Sequence, residues 1–272
     1  RHVWVEDNMG AKSEVKTVNL IIDETGPTVV FNPNGDNEYK RSHEVNVTVN
    51  DDYSGIRLKE YQWNTSNSFP SNDTWNSFED KITTPDDVTG NYYLHIKATD
   101  NTGNVNNKTS NVFKVDNTSP IVEAPFVKAI DTNSIKIEAN ASDPDAGLHT
   151  MPYLYNVNGN DVASWVDASS IIKESLDPNK EYACKLKARD KLNNVSDYSS
   201  VTKKYTLALN PIKVILKEIT DTTLKLEVVN DNENINTPET QIILKDNNGN
   251  EIKSGWDKNI NKTFSNLAAG KT

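Results

Sequence analysis

Four pairs of residues in this chain share one spacing. Asp7 and Asp100, Gly10 and Gly103, Asp23 and Asp116, and Pro27 and Pro120 are each 93 positions apart. Register kept without a gap over four pairs marks an internal repeat, and a repeat constrains the fold more than any composition does. Each copy has to be one self-contained unit of about the size of a β-sandwich. A looser copy follows, in which Asp100 is matched by Asp190 at 90 positions and Pro120 by Pro211 at 91. The later part repeats again. Val127-Lys128-Ala129-Ile130 and Ile135-Lys136-Ile137-Glu138 return 89 positions on as Leu216-Lys217-Glu218-Ile219 and Leu224-Lys225-Leu226-Glu227. Trp165 recurs as Trp256, and Leu176 ahead of Asn179-Lys180 recurs as Leu267 ahead of Gly270-Lys271. The chain reads as a tandem array.

Within each unit the hydrophobic period is two, not 3.6. Val45-Asn46-Val47-Thr48-Val49 alternates, as do Tyr93 to Ala98 and Ile135 to Ala139, which is the pattern of half-buried strands. Turn chemistry separates the runs at Asp51 to Gly55, Asn158-Gly159-Asn160 and Asn247 to Asn250. Short alternating strands punctuated this regularly predict an all-β fold: tandem antiparallel β-sandwich modules of about seven strands per ~90 to 100 residues, strung in an elongated array.

The 272 residues carry a formal charge of -10, with 35% hydrophobic and 25% charged residues. That composition folds, and its length allows two or three modest cores. The acidic balance argues against nucleic acid or an anionic membrane as partner. No stretch approaches the ~20 apolar residues of a membrane span. The chain starts at Arg1 without an initiator Met, signal peptide or lipidation motif, so both ends read as cuts within a longer protein. Cys184 is the one cysteine, which excludes an internal disulfide framework. An exported origin would have to be one that does without disulfides. Sequons such as Asn46-Val47-Thr48 and Asn194-Val195-Ser196 are expected by chance in a chain so rich in Asn and Thr.

The run Gly90 to Asn104 resembles the penultimate strand and following turn of bacterial immunoglobulin-like modules from large clostridial and bacillar cell-surface proteins, with Asp51 to Ile56 and Tyr61-Gln62-Trp63 in matching order. Residues 120–210 resemble a bacterial fibronectin type III module, through Leu176 to Tyr182, Leu186 to Asp190 and Asn193 to Asp197. The early-strand tryptophan of the animal pattern is missing and no Arg-Gly-Asp occurs, so integrin binding gets no support. The resemblance implies four segments. Residues 1–26 are the last two strands of a truncated Ig-like module, 27–119 a complete Ig-like module, 120–210 a fibronectin type III-like module, and 211–272 a truncated one. An alternative for the first segment is that an orphan strand pair completes another chain by strand addition.

Catalytic signatures are missing: there is no Gly-x-Ser-x-Gly, phosphate-binding Gly-rich loop, His-Glu-x-x-His or Cys-x-x-Cys. His2 and His95 occupy equivalent repeat positions and read as outward-facing strand residues. Cys184 reads as a small buried hydrophobe. Trp63, Trp75, Trp165 and Trp256 could offer flat faces to sugar rings, but core packing fits better, since Trp165 and Trp256 recur at one position. Trp75, in a polar stretch between Asp73-Thr74 and Asn76-Ser77, is the one expected to be exposed.

The acidic residues make the sharper pattern. In such a sandwich the loop after the second strand and the last turn lie at the end where the chain arrives from the preceding module. At the first junction this gathers Asp23 and Glu24 from the linker, Asp51 and Asp52 from one loop, and Asp100 from the other. At the second it gathers Asp116 with Asp143, Asp145 and Asp190. Crowded carboxylates repel unless screened, protonated or bridged, and Ca²⁺ takes six to eight such oxygens. The arrangement resembles the calcium-stiffened junctions of cadherin-type arrays. The competing explanation is that Asp100 and Asp190 cap their turns and Asp116 is a solvated linker residue. The third junction has Asn210 in place of the linker acid, with Asp231 and Glu233 nearby.

These features predict a non-enzymatic stalk of a bacterial cell-surface or secreted protein. It requires no cofactor, with calcium as the candidate ion, and Pro27, Pro120 and Pro211 limit hinge freedom. Its partners are the adjacent modules of its own chain, and the fragment is expected to be an elongated monomer. Two rivals remain: an adhesin whose modules bind a host protein or glycan, and an accessory segment of a secreted polysaccharide or peptidoglycan hydrolase.

Overall fold

A computed structural model describes residues 2–17, 22–72 and 74–268. Asp73, Gly270, Lys271 and Thr272, and the side chain of His2, lie outside the described residues. Every regular element among them is a strand. The chain divides into two units, Arg1–Thr118 and Ser119–Thr272.

In the first unit, Thr28–Asn32, Glu44–Asn50 and Lys81–Thr83 form one antiparallel sheet. The facing sheet runs in the order Asp36–Lys40, Phe113–Val115, Gly90–Asp100, Ile56–Asn64, Asn76–Ser77, with Val105–Thr109 also paired to Gly90–Asp100. The first strand therefore changes sheets. It leaves Glu44–Asn50 and, as Asp36–Lys40, pairs in parallel with Phe113–Val115, as the edge of an immunoglobulin-like sandwich does. Alternation supplies the core: Val29, Phe31, Val45, Val47 and Ile82 face Leu94, Ile96, Ala98 and Phe113. Trp63 on Ile56–Asn64 packs edge-on against Phe113 at 5.5 Å and donates its indole N–H to Thr83 O at 2.7 Å. Strands Lys16–Thr17 and His2–Val3 form a separate antiparallel pair.

In the second unit, Phe126–Ala129, Ile135–Glu138 and Ser170–Lys173 form a three-stranded sheet. It faces a four-stranded sheet ordered Asn160–Asp161, Leu148–Val157, Glu181–Asp190, Thr202–Tyr205. Three strands on four in this order is a fibronectin type III-like sandwich. One further feature agrees: the Asp177 amide donates to Tyr182 Oη at 2.9 Å, the tyrosine corner that ties the start of the penultimate strand back to the preceding turn. Cys184 is fully buried between Tyr182 and Leu186 in this core, and burial pushes its thiol pKa up to about 11.

Two expectations about burial fail. His95 faces away from the core, as expected, but is fully buried rather than exposed. The loop between Asn64 and Asn76 folds over the outer face of Gly90–Asp100, and Ser66 O and Thr109 Oγ1 take both ring nitrogens, at 3.0 and 2.9 Å. Trp256 is not core but 66% exposed. Strands Lys213–Ile219, Leu224–Val229 and Asn261–Phe264 form one sheet, and Ile243–Lys245 pairs with Glu251–Lys253. Among the described residues no counterpart of Glu181–Asp190 covers them. Equivalent positions diverge accordingly: Val127, paired to Ile137, is 6% exposed, whereas Leu216, paired to Leu226, is 54% exposed.

Candidate metal centre

Three local devices, each an aspartate accepting from its own turn, build the first junction. In the linker, Asp23 Oδ1 accepts from the Thr25 amide at 3.0 Å and the Thr25 hydroxyl at 2.8 Å. In the loop after Glu44–Asn50, Asp51 Oδ1 accepts from the Ser54 and Gly55 amides, both at 2.8 Å; Gly55 takes a φ of 77°, which a side chain would strain. In the last turn, Asp100 Oδ1 accepts from the amides of Thr102, Gly103 and Asn104 at 2.9, 2.6 and 2.8 Å. Its Oδ2 accepts from Thr102 Oγ1 at 3.0 Å and Asn104 Nδ2 at 2.8 Å.

The fold then brings the three carboxylates together. Asp23, Asp51 and Asp100 each offer an oxygen within 4.8 Å of the others'. Asp100 is fully buried, and the other two half-buried. Glu24 and Asp52 are exposed and lie outside this group.

Two of these acids, Asp23 and Asp100, are held in their ionised form. Burial pushes the Asp100 carboxyl up, but the donors of Asn104, Thr102 and Gly103 outweigh it and hold the group well below the usual carboxylate range. Asp23 is also held low, first by the Ser54 hydroxyl when its proton turns to that carboxylate and then by Thr25, against burial and the neighbouring Asp100 charge. Ser54 has one proton to give, and its Oγ is within 3.2 Å of Asp51 Oδ1. With that proton on Asp51, Asp23 Oδ2 is left buried and without a hydrogen-bond partner among the described residues. A buried, unmatched carboxylate oxygen beside two more carboxylates suits a hard divalent cation, which prefers oxygen donors in irregular geometry.

The same devices recur along the chain. Asp116 Oδ1 accepts from the Thr118 amide and hydroxyl at 3.0 and 2.9 Å, matching Asp23, and it closes the first unit. In the second unit Asp143 Oδ1 accepts from the Asp145 and Gly147 amides at 3.1 and 2.7 Å, matching Asp51. There Asp190 Oδ1 accepts from the Leu192 and Asn194 amides at 2.9 and 2.7 Å, and Oδ2 from Asn194 Nδ2 at 2.6 Å, matching Asp100. Asp143 and Asp190 lie within 4.8 Å of each other, while Asp145 is half-buried and contributes its amide. At the third junction Asn234 takes over, its Oδ1 accepting from the Leu209 amide at 2.8 Å; Asp231 accepts from the Glu233 amide at 3.0 Å.

Sequence reasoning missed the donors: Thr25, Ser54, Thr102 and Asn104. Their signal was present as Asp-x-Thr at 23 and 116 and Asp-x-x-x-Asn at 100 and 190. Asp246 with Asn250 shows that turn capping needs no neighbouring acid, since Asp246 accepts from the Asn248 and Asn250 amides at 2.9 Å each. The aromatic residues offer less. Trp75 is half-buried, stacked on Phe69 at 5.1 Å and approached by Lys97 Nζ at 5.9 Å. Trp165 is half-buried beside the Arg189 guanidinium at 4.8 Å.

No family model and no curated protein matches the chain. Among solved structures it is similar to the FN1-FN3 domains of chicken CNTN1, at 14% identity and a TM-score of 0.34, covering 90% of this chain and 91% of that one. It is also similar to the fibronectin(III)-like modules of Clostridium thermocellum CbhA, at 15% identity and a TM-score of 0.28, covering 66% and 94%. A run of titin domains matches at 12% identity and a TM-score of 0.36, covering 74% and 72%. At these scores the likeness adds nothing to the strand orders and the tyrosine corner, on which the fold stands.

Proposed function

We propose that this chain is a non-catalytic spacer of a bacterial cell-surface or secreted protein, which holds a head domain away from its anchor and whose module junctions bind calcium. The segments 1–26, 27–119, 120–210 and 211–272 are its modules, the outer two partial. The observation that supports this most is the Asp23, Asp51 and Asp100 group, in which a linker and two loops each present one carboxylate. An ion there would join a linker to the module that follows and restrict the hinge between them. Asp143 and Asp190, set in the same devices as Asp51 and Asp100, would serve the second sandwich in the same way. Asp51 Oδ2 and Asp23 Oδ2 would be primary ligands, with Asp100 shared between the ion and its turn. Trp75, engaged by Phe69 and Lys97, gives a glycan-binding adhesin no added support.

Thermal unfolding with and without millimolar Ca²⁺ tests the reading. A rise in Tm of roughly 5 °C or more is expected for an ion held well above its dissociation constant. Asp51→Asn should abolish the calcium-dependent part. Equal Tm values in calcium and in chelator would leave plain spacers and remove calcium from the account.

A further inference from the structure

The segment that links the first strand pair to the following sandwich is held by more than its acids. Strand Thr28–Asn32 and strand Val105–Thr109 belong to different sheets and share no backbone ladder. Side chains cross the gap instead. Asn104 Nδ2 donates to Asp23 O at 3.0 Å and Thr25 O at 3.2 Å, Asn106 Nδ2 to Pro27 O at 2.7 Å, and Lys108 Nζ to Val29 O at 2.5 Å. Residues 104, 106 and 108 share one face of an extended run, and alternate carbonyls 25, 27 and 29 meet them in step. Gly26 lets the backbones approach, since a Cβ there would sit 3.2 Å from Val105 O.

We propose that Asn104, Asn106 and Lys108 form a metal-independent clasp that fastens residues 23–27, and the start of the strand they lead into, along the edge of the sandwich. Chain order alone would leave a linker of this composition free to swing, whereas donors spaced at two residues fix its direction over residues 23–27, up to the strand that the sheet already holds. Each donor is a neutral amide or a lysine, so the clasp holds with no cation bound. Asn104 belongs to both systems: one amide hydrogen goes to Asp100 Oδ2 at 2.8 Å and the other is shared between the Asp23 and Thr25 carbonyls, so it ties the capped turn to the linker.

Glu24, exposed in the linker, gives a direct readout through cleavage of the full chain by a glutamate-specific protease in EDTA, followed by mass of the fragments. The wild type should be cut slowly after Glu24. Asn106→Ala with Lys108→Ala should be cut on the order of tenfold faster, and the triple variant with Asn104→Ala about a hundredfold faster, as three side-chain hydrogen bonds are removed from the closed state. The single variant Asn106→Ala, and unchanged Trp63 fluorescence in all three, separate release of the linker from loss of the sandwich. Equal cleavage rates for wild type and all variants with the sandwich intact would overturn the clasp. Because the assay contains no calcium, its outcome is independent of the calcium proposal.

Discussion

Burial and turn capping act on Asp100 in opposite directions, and the capping donors win. Its folded-state pKa lies below the ordinary 3.8, so its contribution to stability is complete above that value and is lost as pH falls through it toward the folded one. Acid should therefore loosen the last turn of the first sandwich, and Asp100→Asn should flatten the acid limb of a stability profile below pH 4 while lowering stability at neutral pH. His95 works at a milder pH. Burial holds its pKa below the ordinary 6.5 against the Ser66 carbonyl bond. The unfolded chain then binds the proton more readily, and stability conferred by neutral His95 is present above 6.5 and falls as pH drops below it. Denaturant titrations at pH 7.5 and 5.5 should show the wild type losing stability, and His95→Gln losing less. The alternation that placed Leu94 and Ile96 inside was legible; that a loop would close over the opposite face at His95 was not. Nothing in the local pattern names a covering loop.

Strands and turns were legible because their signals are local. Period-two alternation sets the two faces of Glu44–Asn50 and of Glu181–Asp190, and Asp, Asn and Gly set the turns. Less visible was the point at which the first strand changes sheets. Gly35 there has a φ of 86°, and an added Cβ would lie 2.5 Å from Asn111 Cβ and 2.9 Å from Val112 O. Gly35→Ala should cost on the order of 2 to 5 kcal/mol, combining left-handed strain with overpacking against backbone, whereas Gly159→Ala, in open space, should cost only the strain. Chemical denaturation of the two variants compares them directly. The clasp belongs to this scale as well, since it depends on the spacing of side chains along one strand.

At the scale of the whole chain there are two separate hydrophobic cores, one built around Leu94, Ile96 and Phe113 and the other around Ile135, Ile137 and Leu186. Separate cores should unfold separately. Ile137→Ala, which empties a fully buried position, should cost about 2 to 5 kcal/mol and shift one calorimetric transition while leaving the Trp63-reported transition of the other sandwich in place. Movement of both would show that the modules are energetically fused. The modular repeat, the strand-rich class and the turn residues could be read from the chain alone, because spacing, alternation and turn chemistry are written in neighbouring residues. Tertiary structure alone decided which acids converge, with Glu24 and Asp52 outside and Asp23, Asp51 and Asp100 together. It also decided that His95 is buried, that Trp256 is not, and that Asn104, Asn106 and Lys108 reach across to the linker. Those outcomes depend on which strand or loop lies opposite, and that is settled by packing between residues far apart in the chain.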